Sequence, residues 1–360
     1  MKSRIVFAVP GALDQVTGGY LYDRRVVEGL RARGRAVSVA ELPGAFPEVD
    51  EVAVVGATAL MRSTGHDDVV VVDGMALPAF ESLIPPESGA TVIGFVHHPL
   101  SLETGLSAER AAKFARVESL LWSGLDGVIC ASPSSARAVL ASGVAADRIA
   151  VASPGVDLPA DVSVRRRDAT GSRAMRLLCV ATLTARKGHG VLVDALSRID
   201  ALDWTLDCYG SLERDPATVH EVRRAIADFG LSDRIRLHGE QPADRLIRAW
   251  READLFVLPS FHEGYGMVLT EALAQAIPVV STRAGAIPET VPEAASRLVD
   301  PGDPAALAGV LAELMTKPAA FNRLAAAAHS ARDQLASWPQ AIDHWGRSLD
   351  RLAALRRVAA

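Results

Sequence analysis

The sequence predicts an α/β protein of two doubly wound, Rossmann-like parallel sheets facing a central cleft, and three observations predict it. Short apolar, β-branched runs alternate with longer helical stretches along the chain, the pattern of buried parallel strands joined by helices. The alternation lapses once, over 161–174, where Val-Ser-Val-Arg-Arg-Arg-Asp-Ala-Thr-Gly-Ser-Arg is charged and aperiodic and reads as a linker. The 360 residues also exceed what one core usually carries, which favours two domains.

In order, the first lobe reads as strands near 5–9, 36–40, 69–72, 92–96, 127–131 and 149–152, with a helix over 20–33 that stops before Gly34 and another over 107–122. After the linker come strands at 176–181, 205–209, 235–237, 255–258 and 279–281, and helices near 190–197, 217–229 and 267–276. The tail over 338–357 spaces Ile342, Trp345, Leu349, Leu352 and Leu355 as one amphipathic helix. The expected domains are 1–165 and 174–335, followed by a terminal helical segment 336–360.

Composition excludes several classes. Lys and Arg number 38 against 43 Asp and Glu, a net charge of −5 that argues against a nucleic-acid partner. Cys130, Cys179 and Cys208 are far apart with no C-x-x-C pair, so the spacing favours neither a zinc site nor a disulfide framework. No run of about 18 uncharged apolar residues spans a membrane, and the apolar stretch at the N-terminus is too short for a signal peptide. A cytoplasmic, reduced protein is the expectation.

Three loops carry the chemistry. In Leu258-Pro-Ser-Phe-His-Glu263-Gly264-Tyr265-Gly266-Met, a strand gives way to a glycine loop and then to a helix holding Glu271. Backbone N–H groups at such a helix start favour an anion, phosphate above all. The two carboxylates are expected to stay off a diphosphate and take hydroxyls, although acidic residues near a helix start also fit simple capping. In Thr182-Leu-Thr184-Ala-Arg186-Lys187-Gly188, two cations precede a helix, where they oppose its dipole unless an anion joins them. Gly18 and Gly19 follow the first strand and open the backbone to a ligand. His97-His98-Pro99 closes another strand, and Glu103 and Thr104 follow it.

The run Glu263-Gly-Tyr-Gly with Glu271, continuing through Pro278, Gly285 and Pro288-Glu289, resembles the paired-glutamate signature of the retaining family 4 glycosyltransferases, the glycosyl transferase group 1 enzymes of GT-B fold. The Gly-Gly loop, the Val96-His97 strand end, the Arg-Lys-Gly segment and the Leu237-His238-Gly239-Glu loop fall in that family's order. The resemblance implies two lobes with a C-terminal helix crossing back to the first domain, a nucleotide-sugar donor on the second lobe and an acceptor on the first. It also implies that Glu271 binds ribose hydroxyls and Glu263 the donor sugar. Lys187 would grip the diphosphate with Gly18, Gly19 and Gly266, and His97 would bond the sugar near the reacting carbon.

Thr182, Arg186, His238, Gly264 and Tyr265 complete the implied donor set, and His98, Glu103 and Thr104 the acceptor set. Thr182 departs from the family, many of whose members carry Arg there. No Asp-x-Asp is present, which points to a metal-independent reaction without a cofactor beyond the co-substrate. The expected activity is transfer of a hexosyl group from a nucleotide sugar, UDP-linked in preference to GDP-mannose, to a small-molecule, lipid or glycan acceptor with retention through a front-face mechanism. A GT-B nucleotide-sugar epimerase or a catalytically silent sugar-nucleotide-binding protein is the alternative. A dinucleotide oxidoreductase lacks its third glycine in both glycine loops.

Overall fold

The computed structural model describes residues 4–168 and 173–359, with side chains through Arg356. The chain divides into two compact units, one of Met1–Gly155 with Ala336–Ala360 and one of Val156–Leu335.

The first unit runs β1 (Ile5–Pro10), α1 (Gly18–Ala32), β2 (Val37–Leu42), α2 (Glu51–Arg62), β3 (Val69–Asp73), β4 (Thr91–Val96), α3 (Ala108–Gly124), β5 (Gly127–Cys130), α4 (Pro133–Ala141) and β6 (Ile149–Val151). Its sheet is parallel in the order β2-β1-β3-β4-β5-β6. The central strands are apolar on both faces, as a sheet covered by helices requires, and β1, β3 and β4 are buried throughout. Side-chain caps start the helices: Ser107 accepts Arg110 N–H at 3.2 Å, and Ser132, just before Pro133, accepts Ser135 N–H at 3.1 Å.

The second unit runs β7 (Met175–Val180), α5 (His189–Ser197), β8 (Trp204–Tyr209), α6 (Pro216–Asp228), β9 (Ile235–Leu237), α7 (Ala243–Glu252), β10 (Leu255–Leu258), α8 (Met267–Ala274), β11 (Val279–Thr282), α9 (Ile287–Thr290), β12 (Ser296–Val299), α10 (Pro304–Thr316) and α11 (Pro318–Ala331). Its parallel sheet has the order β12-β11-β10-β7-β8-β9.

The last helix, α12 (Trp338–Ala359), belongs to the first unit. Trp345 is fully buried, its ring 6.0 Å from Phe7 on β1 and 5.6 Å from Phe95 on β4. Arg33 and Arg35 pair with Asp343 and Asp350 at 2.5 and 2.6 Å, and Arg356 with Asp126 at 2.9 Å.

Two expectations need correcting. The division falls at Gly155, not near residue 165, because the charged segment is pinned to the second unit: Arg165 donates to Ala253 O and Trp250 O at 3.0 and 3.1 Å, and Arg167 N–H donates to Asn322 at 2.9 Å. Of the proposed linker, 169–172 lies outside the described residues. The sequence reading also passed over α2, α4, α7, α9, α10, α11 and β12, although Ser132-Pro133 and Asp303-Pro304 are cap-and-proline helix starts. Among the described residues no helix is long and apolar enough to cross a membrane.

Candidate functional site

In an open parallel sheet, ligands bind beyond the carboxyl ends of the strands where the strand order reverses. In the second unit that reversal lies between β7 and β10, and the loops leaving these strands carry Lys187 and Glu263. Phe261 N–H donates to Arg186 O at 2.8 Å, and the Arg186 guanidinium donates to His262 O at 2.8 Å, which knits the two loops together. Gly188 makes the approach possible: its φ is +71°, and a Cβ there would stand 2.1 Å from Pro259 O.

The centre of this arrangement is the Glu263 carboxylate, only 5% exposed. It accepts Lys187 Nζ and Ser260 Oγ, each at 2.6 Å on Oε1, while Arg186 Nη1 lies 3.5 Å from Oε2. Burial by itself would raise its pKa, but Lys187, Arg186 and the two side-chain hydrogen bonds outweigh that and hold it below the usual carboxylate range. Burial lowers the pKa of Lys187, with Glu263 opposing the shift.

This corrects one sequence expectation. The cations before α5 already have their anion, within the chain, so relief of the helix dipole does not require a bound diphosphate. The Glu263 carboxylate is held by two hydrogen-bond donors, Lys187 and Ser260, with the Arg186 guanidinium beside it. Ser260, buried and bonded through its carbonyl to Thr282 Oγ1 at 2.5 Å, is the member that sequence reading missed.

Around this centre, Gly264, Tyr265 and Gly266 lead into α8. Burial pushes the Tyr265 hydroxyl up to about 12. Glu271, partly exposed, sits on α8 about one turn beyond Met267. Thr182 follows β7 and is partly exposed. His238 follows β9, stacks on Tyr209 with centroids 4.4 Å apart and meets Asp207 at 2.6 Å.

The first unit builds a separate group at its own reversal point, between β1 and β3. Gly18 and Gly19 form the first turn of α1 instead of a loop before it, with Thr17 as the cap. A Cβ on Gly19 would lie 3.8 Å from the His97 ring, so the glycine and the histidine are neighbours. His97 follows β4, and its Nε2 stands 3.0 Å from both Asp23 on α1 and Asp73 at the end of β3. Both carboxylates are buried, at 1% and 4% exposure.

Neither aspartate was singled out from sequence, yet each left a signal. Asp23 falls on the apolar stripe of α1 with Tyr20, Val27 and Leu30, and Asp73 terminates a run of four valines. In the following loop His98 pairs with Glu103 at 3.0 Å, and Thr104 N–H donates to Glu103 at 3.1 Å. Glu118, also missed, holds that loop by accepting Leu100 and Ser101 N–H at 2.5 and 3.1 Å.

Two clusters bring three potential donor atoms within 4.8 Å of one another: Asp23, Asp73 and His97, where the spacing is that of shared protons, and Cys179, Cys208 and His189, buried under the Lys187 loop. In the second, β7 and β8 bring Cys179 and Cys208 together in register, although they stand far apart in the sequence. All three cysteines are free thiols.

Residues 174–317 match the family described as glycosyl transferases group 1. The amylovoran biosynthesis glycosyltransferase AmsK of Erwinia amylovora is 35% identical over 187 residues, 49% of this chain and 44% of that protein. The chain spans about half the length of the first curated relatives it matches. The sucrose-phosphate synthase of Thermosynechococcus elongatus superposes with a TM-score of 0.80 at 20% identity, over 98% of this chain and 99% of that one. Anabaena Alr3699/HepE, solved with UDP and glucose, gives 0.75 at 18% identity, over 97% and 99%. The two parallel six-stranded sheets are those of the GT-B fold.

Proposed function

We propose that this chain, which carries a group 1 glycosyltransferase domain, moves a hexosyl group from a nucleotide sugar, UDP-linked by preference, to a hydroxyl acceptor with retention of configuration. The observation that carries the reading is the Lys187–Glu263–Arg186 cluster at the strand-order reversal of the domain that matches the family. The UDP and glucose bound by HepE favour uridine over guanosine.

In this reading Lys187 and the N–H groups at the start of α8 receive the charge that develops on the leaving diphosphate, a preorganised electrostatic contribution. Glu263 orients Lys187 and meets the donor sugar, Glu271 takes the ribose hydroxyls, and His97 bonds the sugar near its reacting carbon. The acceptor oxygen attacks the face the diphosphate leaves. Its proton passes to a phosphate oxygen, so no separate base is required.

The test is a thermal-shift panel of UDP, GDP, ADP and their sugars with assay of nucleotide release. A ligand at a hundred times its Kd stabilises the folded state by about 2.7 kcal/mol. A shift with UDP-sugars, together with slow release of UDP, supports the reading, whereas no response to any nucleotide or nucleotide sugar sinks it. Turnover is also expected to survive EDTA, given the missing Asp-x-Asp. Loss of turnover on chelation, restored by Mg²⁺ or Mn²⁺, would overturn the metal-free part.

A further inference from the structure

We propose that Asp23 and Asp73 are positioning residues for His97, fixing a proton on Nε2 and keeping the ring cationic, so that Nδ1 offers an N–H donor to an oxygen of the sugar donor. The inference rests on the reading that His97 meets the donor.

The argument begins with where the carboxylates sit. Both face the same ring nitrogen at 3.0 Å, and both are buried, so the cluster is stable only if Nε2 carries a hydrogen. A neutral ring with its hydrogen on Nε2 would present a lone pair at Nδ1, whereas a doubly protonated ring presents a donor. The carboxylates therefore decide what kind of atom the ring shows a ligand.

Their charges favour the donor form. Burial would drive the histidine pKa down, but attraction and hydrogen bonding to Asp23 and Asp73 lift it to about 10. Asp23 itself is raised to about 6, by burial against the attraction of His97 and then by repulsion from Asp73. Between those values His97 is an imidazolium beside the ionised Asp23.

The remaining neighbours do not compete for the ring. Tyr22 on α1 lies 5.8 Å away between centroids, with its hydroxyl committed to Ala152 O at 2.6 Å. Phe95 on β4 packs against the ring at 4.5 Å, and Ser135 on α4 donates to the His97 backbone oxygen instead of the ring. Among the described residues no group bonds Nδ1, and the side chain is 21% exposed.

The test is the ring ¹⁵N titration of His97 in the full chain, paired with the pH profile of UDP release from UDP-glucose. In the native protein His97 should remain cationic through pH 9. Asp73→Asn keeps an oxygen for the Met75 N–H that Asp73 now accepts at 2.7 Å, while removing one charge. It should lower the His97 pKa by about 1–3 units. The variant's activity should then fall above the new pKa and recover below it, a rescue by acid that a purely structural defect would not give. Asp23→Asn should do the same and serves if Asp73→Asn fails to fold. A His97 that titrates near pH 6.5 in the native protein, or one that ignores both substitutions, overturns the proposal. A shifted titration with an unshifted activity profile supports the pairing and overturns instead the placement of His97 against the donor.

Discussion

Lys187→Ala is expected to lower kcat by about a hundredfold to a thousandfold, roughly 2.7–4 kcal/mol, the usual cost of removing one preorganised contact to developing charge. The same substitution should lower the stability of the ligand-free protein. Lys187 is the partner of Glu263 at 2.6 Å, and deleting one member of a buried pair costs about 3–5 kcal/mol because the other is left uncompensated. Here the loss falls at or below the low end, since Arg186 still lies 3.5 Å from the carboxylate. Adding Glu263→Gln to Lys187→Ala removes the stranded charge, so the double variant should regain melting temperature without regaining turnover. Near-normal kcat in folded Lys187→Ala would take the lysine away from the diphosphate. Unchanged stability would mean that the pair contributes nothing to the fold.

Trp345→Ala should produce the largest loss of stability outside the site. The indole is fully buried against Phe7 and Phe95, and truncating such a side chain costs about 3–5 kcal/mol. At roughly 2–4 °C per kcal/mol for units of this size, the first unit should melt about 6–20 °C lower in calorimetry. The transition of the second unit should hold its position. A shift of only a degree or two would show that α12 contributes little to the first core.

The loops that carry Lys187 and Glu263 were legible because their signals are local. A strand, a glycine and cations or carboxylates within a dozen residues are enough to mark Lys187 and Glu263. Their pairing was not legible, because the residues are 76 positions apart and meet only because β10 lies beside β7. Strand order is a tertiary choice that periodicity does not encode. The same reason hid the Asp23–His97–Asp73 group, whose members come from α1, β4's end and β3. The carboxylate on an apolar helical stripe was the available clue there, since a buried charge demands a partner. Boundaries failed for a different reason: 161–168 has a linker's composition, yet its arginines bond backbone oxygens of the second unit. Charge in a sequence does not tell whether it faces water or a carbonyl.

The assignment of α12 to the first unit also orders events during synthesis. Residues 156–335 form one uninterrupted stretch, so the second unit can complete its sheet as soon as that stretch has left the ribosome. The first unit emerges earlier but remains without Trp345, Leu349 and Leu352, all buried in the finished protein, until some 180 further residues have been made. For that interval the sides of β1, β4 and α1 that α12 later buries have no cover, and the unit synthesised first is the one expected to need a chaperone longest.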